Sequence, residues 1–156
     1  YYTEKQNNPV RTVGLDLSPY MLAVAKIIDE KQEIFQWIHG LAENTNLPDS
    51  CFDVVTLQFV LHELPNNATR EILQEALRIL RPGGCLGIVD NNPASPVIQN
   101  MPPALFLLMK STEPWSDEYY TFNVENTLQE IGFNYQTTVA SDHRHRTIIA
   151  LKPDGK

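Results

Sequence analysis

Two acids and a histidine stand where apolar runs give way to polar sequence. Asp16 closes the run Val10-Arg11-Thr12-Val13-Gly14-Leu15, Asp90 closes the run that begins at Cys85, and His62 follows Phe52 to Leu61. An acid that ends a strand of an open α/β sheet can accept bonds from both ribose hydroxyls of an adenine cofactor. It can equally help to cap the next helix. An imidazole near a reacting centre orients an acceptor or takes its proton, so His62 is a candidate for that work; the alternative is a helix-start histidine that bonds locally. Asp90 either faces a substrate or serves as a loop acid held by nearby amides. Glu63 reads as a solvated or capping group. His143 and His145 lie two apart, but no full ligand set gathers around them, and no metal is expected.

The elements that would position these residues follow from periodicity. Val10 to Asp16 reads as a strand. Ser18 is a good helix N-cap with Pro19 at the first helical position, and the helix runs from Tyr20 to about Lys31. Ile34 to His39 is a strand, Leu41 to Ser50 an irregular loop, and Phe52 onward a buried strand with an ambiguous end at Phe59 to Leu64. Asn67 or Thr69 caps a helix ending near Leu80, with Ile72, Leu73, Ala76 and Leu77 on its apolar stripe. Arg81-Pro82-Gly83-Gly84 stops it; a helix stop and tight turn explains the glycine pair better than a phosphate cradle does. Cys85 to Asp90 is a strand. Pro93 to Trp115 is an insertion holding a short helix near Ala104 to Met109; Trp115, with Tyr119 and Tyr120 beyond it, either forms part of an acceptor-pocket lid or simply packs. Val124 to Ile131 is a helix, and Phe133 to Ala140 with Thr147 to Leu151 are two strands joined by a turn at Ser141-Asp142.

Strands alternating with helices predict a doubly wound α/β domain whose sheet is mostly parallel, and the last two strands predict an antiparallel hairpin at one edge. Four strand ends then carry ligand: Asp16, the segment Gly40 to Glu43, Gln58 onward, and Asp90. With neither repeat nor linker, residues 1–156 read as a single domain.

Composition removes several classes of function. The chain has 156 residues, 42% hydrophobic and 20% charged, with a net charge of −7. That acidity argues against a basic face for nucleic acid. The two cysteines have no CxxC spacing, so no redox or zinc motif is present. No apolar run reaches the roughly 18 residues of a membrane span. The chain is expected to be soluble, with no signal peptide at Tyr1 to Asn8, and no pattern selects an oligomeric state.

At this point the residues carry a family resemblance. Val13-Gly14-Leu15-Asp16-Leu17-Ser18-Pro19-Tyr20-Met21-Leu22 resembles the second-strand motif of class I S-adenosylmethionine-dependent methyltransferases. Ala42-Glu43 before Asn46-Leu47-Pro48, then Phe52-Asp53-Val54-Val55, resembles the next loop and strand. Leu61-His62-Glu63-Leu64 and Leu80-Arg81-Pro82-Gly83-Gly84 resemble the following two motifs. Asp90-Asn91-Asn92-Pro93, Lys110 to Pro114 and Asp142 to Thr147 resemble a subgroup of plants, algae and cyanobacteria, similar to ubiquinone/menaquinone-biosynthesis methyltransferases. The resemblance implies a Rossmann-like methyltransferase fold, S-adenosylmethionine as cofactor, a small-molecule acceptor, and a cytoplasmic or plastid location.

Residue by residue, the resemblance implies that Asp16 binds the ribose hydroxyls and Leu17 packs on the adenine. Leu41 and Ala42 line the other adenine face, and Gln58 lies near the methionine part. His62 and Asp90 are the catalytic candidates. Many relatives have an Asp where Leu41 stands, so here Glu43 or backbone takes over the adenine amino group, or adenine recognition is weaker. The resemblance also implies that the first strand–loop–helix unit, with its Gly-rich loop, is absent from the N-terminus. Tyr1 to Asn8 would be the tail of its helix. The 156 residues alone are then expected to bind the cofactor poorly and to leave a strand edge unpaired. Two other readings stand beside this one: a cofactor-binding pseudo-enzyme, and a nicotinamide dehydrogenase, which Asp16 alone permits and the other motifs oppose.

Overall fold

The computed structural model describes residues 10–29 and 35–155. The expected end of the first helix near Lys31, the strand start at Ile34 and the segment Tyr1 to Asn8 lie outside the described residues. The chain divides into two compact units, Tyr1–Thr45 and Asn46–Lys156.

In the first unit, β1 (Thr12–Asp16) and β2 (Phe35–His39) pair in parallel, with Asp16 opposite His39 at their C-terminal ends. A parallel pair needs a crossover, and α1 (Pro19–Asp29) packs on both strands to supply it. Ser18 caps α1 as expected: its Oγ accepts from the Met21 amide at 3.3 Å. Gly14 faces Trp37 across the strand pair, and a Cβ on Gly14 would stand 2.2 Å from the indole ring. Only a glycine lets the ring lie there. The Trp37 Nε1 and the Phe35 amide both donate to the Asp29 carboxylate, at 3.2 and 3.3 Å, tying the end of α1 to β2.

In the second unit the strand order is β3 (Phe52–Gln58), β4 (Leu80–Asn91), β6 (His145–Leu151), β5 (Asn134–Ala140). β3 and β4 are parallel; β6 runs antiparallel to both β4 and β5. The C-terminal pair is thus a hairpin with β5 at the sheet edge. The helices are α2 (Asn66–Ile79), α3 (Pro96–Gln99), α4 (Pro103–Thr112), α5 (Ser116–Thr121) and α6 (Val124–Ile131). Leu73 and Ala76 of α2 and Leu128 of α6 bury against Leu86, Ile88 and Ile148 of the sheet. That stripe is the periodicity read from the sequence, because a helix must hide one face and leave the other in water.

Three local readings change. The helix before β4 ends at Ile79, and β4 begins at Leu80, opposite Phe52, so Arg81 to Gly84 lies within the strand as a distortion with Gly83 at φ 74°. Neither Asn67 nor Thr69 is the α2 cap. The helix starts behind Pro65, and the Glu118 carboxylate, from α5, accepts from the Asn66 amide at 3.1 Å. The last strand starts at His145 rather than Thr147, because His145 pairs with Asn91. Among the described residues β1 has β2 as its strand partner and β3 has β4, so each keeps one edge without a strand.

Candidate active site

The predicted site residues fall in both units. In the first, the turn after β1 is built by Asp16 itself: its Oδ1 accepts from the Ser18 amide at 2.7 Å. The carboxylate is exposed, and a carboxylate offers about four lone-pair sites, so capacity remains for two hydroxyls. Beyond the same strand ends, the Gly40 amide donates to the Asp16 carbonyl at 3.2 Å, and His39 Nε2 meets the Leu17 carbonyl at 2.9 Å. Those bonds fix the loops carrying Leu17 and Leu41, whose side chains stay 62% and 49% exposed. Ala42 is half-buried in the turn that links Leu41 to Asn44.

In the second unit, Gln58 ends β3 with its side chain exposed. The next residue, Phe59, has φ 55°, a left-handed backbone that an aromatic residue adopts only under constraint. Its amide donates to the Val89 carbonyl at 2.9 Å, and its ring stands edge-on to His145 at 5.1 Å. This reversal turns the chain into a single 3₁₀ turn at Leu61–Glu63 and brings His62 back over the end of β4.

There His62 Nδ1 lies 2.7 Å from Asp90 Oδ1. Asp90 is 1% exposed and His62 8%. Two backbone amides complete the carboxylate: Leu61 donates to Oδ2 at 2.9 Å and Asn91 to Oδ1 at 2.7 Å. A carboxylate only accepts, so Nδ1 carries the proton and Nε2 presents a lone pair when the ring is neutral. Burial alone would lower the His62 pKa. The hydrogen bond to Asp90 and the Asp90 charge, aided by Glu113 and Glu63, outweigh it and raise the pKa above the ordinary value. The histidine is therefore not bonded locally, and the acid is at once held by nearby amides and paired with it.

Around the pair, Tyr119 is buried with its ring edge-on to His62 at 6.2 Å, and its hydroxyl donates to the Asn91 carbonyl at 2.6 Å. Burial pushes that hydroxyl well above the usual phenol range. Arg146 stands opposite Asp90 across the β4–β6 ladder, so the two share a sheet face, and it donates to Glu125 Oε1 at 2.8 Å. Charges of opposite sign thus meet inside this end of the sheet, where a lone one would be costly. The Glu63 carboxylate is 66% exposed and lies 4.0 Å from His62 Nε2. Sequence reading assigned no task to Asn91, Arg144 or Arg146, although each lies inside a motif quoted for the resemblance. Polar residues at two strand ends that meet, Asn91 closing β4 and Arg144 and Arg146 around the start of β6, were the signal.

The model of the methyltransferase domain family matches residues 2–88, more than half of the chain. The chain belongs to that family. The match takes in the segment from β1 through most of β4 and so covers Asp16, Leu41, Gln58 and His62. Among relatives, a demethylmenaquinone methyltransferase of Bacillus licheniformis is 39% identical over 71 residues, 46% of this chain and 30% of its own length. An uncharacterized methyltransferase of Synechocystis is 34% identical over 101 residues, 65% of this chain and 46% of its own. The chain therefore spans less than half the length of these relatives. A solved S-adenosylmethionine-dependent methyltransferase of Methanosarcina mazei is 16% identical, covers 92% of this chain and 82% of that one, and superposes with a TM-score of 0.66. That likeness establishes the Rossmann-like fold. Among the described residues no helix is long and apolar enough to cross a membrane.

Proposed function

We propose that the whole protein transfers a methyl group from S-adenosylmethionine to a small-molecule acceptor, and that both units belong to one domain, because a single family model runs across them. The observation that carries the cofactor reading is Asp16: an exposed carboxylate with one oxygen engaged by the Ser18 amide and capacity left for a vicinal diol. The donor set fits the cofactor. Asp16 would accept from both ribose hydroxyls, and the bare side chains of Leu17 and Leu41 with Ala42 would bury the adenine. Leu41 cannot accept from the adenine amino group, so its contribution is apolar. Gln58, exposed at the end of β3, would take the methionine part.

When bound, the cofactor supplies an already electrophilic methyl group, so the protein has little chemistry to add beyond orientation. His62 would take the proton of an acceptor at Nε2, and Asp90 would hold the ring and stabilise the imidazolium that forms. A general base of this kind contributes about 10²–10⁴ in rate where the acceptor needs one. Calorimetric titration of the full-length protein with S-adenosylmethionine tests the reading. Saturable binding is expected, and no heat at high concentration would overturn it. Binding with turnover of no acceptor would mark the protein as a cofactor-binding pseudo-enzyme.

A further inference from the structure

Phe59 holds a left-handed backbone at φ 55°, and a side chain in that conformation persists only where its neighbours over-determine it. Burial does not do so, because Phe59 is 47% exposed. Among the described residues two contacts hold it. Its amide donates to the Val89 carbonyl at 2.9 Å, which extends the β3–β4 pairing past Gln58 and would suit any residue with an N–H. Its ring meets the His145 imidazole edge-on, with centroids 5.1 Å apart and planes at 79°, and that contact needs an aromatic residue. His145 is itself held. Its Nδ1 donates to Asp142 Oδ2 at 2.8 Å, and its Cα pairs with Asn91 across the β4–β6 ladder. The Asp142 carboxylate already closes the hairpin turn by accepting from the Arg144 and His145 amides, at 2.7 and 2.8 Å. The turn therefore needs no imidazole, and the side-chain bond does something further: it fixes the ring that Phe59 leans on.

What depends on Phe59 lies just beyond it. Val60 alone separates it from the 3₁₀ turn Leu61–Glu63, where the Leu61 amide and His62 Nδ1 both bond the Asp90 carboxylate. A change in the Phe59 dihedrals re-aims every residue of that turn. Relaxed to an ordinary extended conformation, Phe59 would send the chain onward along β3 and carry His62 away from Asp90. We propose that His145, fixed by Asp142, is a positioning residue: its ring braces Phe59 in the left-handed turn that seats His62 on Asp90. The work of His62 as a base rests on the methyltransferase reading; the brace does not.

The test is the His62 titration in the full-length protein, followed by NMR of the ring protons and assigned by their loss in His62→Gln. Burial lowers the His62 pKa and Asp90 more than restores it, so a loosened turn lets the titration fall toward the ordinary value. His145→Ala should move it down. Loss of a basic side chain would by itself push the His62 pKa up, so the sign separates the brace from simple electrostatics. His145→Leu, which fills the space without an aromatic edge, should act like the alanine variant and serves if that one does not fold. His145→Phe keeps a ring beside Phe59 and should recover part of the fall. Phe59→Gly relieves the left-handed strain, so its turn needs no brace. In that background His145→Ala should leave the His62 titration where Phe59→Gly alone puts it. An unmoved or upward titration in His145→Ala and His145→Leu overturns the proposal, even with a lower thermal midpoint. An undiminished shift in the Phe59→Gly background also overturns it, because the effect would then bypass Phe59. S-adenosylmethionine titration of the unaltered protein separates the two readings. Absent binding sinks the methyltransferase reading and leaves the brace to the NMR result; binding with an unmoved His62 titration sinks the brace alone.

Discussion

His62 Nδ1 and Asp90 Oδ1 are 2.7 Å apart although the residues are separated by 28 positions in the chain. One comes from the turn after β3 and the other from the end of β4, and parallel pairing of those strands puts their ends side by side. The acid fixes the tautomer, and its charge favours the protonated ring.

That favour has a sign in both rate and stability. The His62 pKa is raised in the folded chain, so the pair contributes stability that is fully present below about pH 6.5, the unfolded value, and is lost as pH rises through the folded value. The base form needs a neutral ring, so methyl transfer to an acceptor that must lose a proton should rise with pH through the same folded value. Asp90→Asn should move the His62 titration down, read by NMR of the ring protons. An unmoved titration would show that Asp90 does not control His62. His62→Gln should remove that limb of the rate profile.

Asp16→Ala should weaken S-adenosylmethionine binding by roughly 1–3 kcal/mol, the scale of lost hydrogen bonds to a charged group. Calorimetry on the full-length protein measures it. Affinity equal to that of the unaltered protein would remove Asp16 from the ribose site.

Gly14→Ala should disturb the first unit in particular. The new methyl would stand 2.2 Å from the Trp37 ring, which lies across the strand pair from Gly14. Overpacking of this kind costs about 1–3 kcal/mol. In a Trp115→Phe background, the remaining indole is Trp37. Its emission should shift, and it should lose order at a lower temperature than before.

Leu73→Ala and Leu105→Ala should separate core from surface. Leu73 is fully buried beneath α2, and truncation should cost about 2–5 kcal/mol. Leu105 of α4 is 51% exposed, and its loss should stay within about 0.5 kcal/mol. Urea denaturation of both variants provides the comparison.

Tyr119→Phe should leave the Asn91 carbonyl without its buried donor, at a cost of about 1–3 kcal/mol. Tyr119→Leu, which also removes the ring that lies against His62, should in addition alter the His62 titration. A change in thermal midpoint with no change in that titration would make Tyr119 purely structural.

By itself the sequence determined the elements and their order. The apolar stripe of α2, the Ser18 cap and the alternation along β4 are local patterns, and local patterns are written in residue type. The position of Asp16 was legible for the same reason: it ends its own strand and accepts from the Ser18 amide in the turn that follows. Family membership was legible because four short motifs occur in a fixed order. What tertiary structure alone decided is pairing across distance. It closed His62 on Asp90 by a left-handed turn at Phe59, which no propensity favours. It supplied Glu118 to the start of α2 in place of a local cap. It also set Asn91 between Tyr119 and Arg144. Each of these joins groups tens of residues apart, and spacing along the chain carries no record of which strand ends will meet.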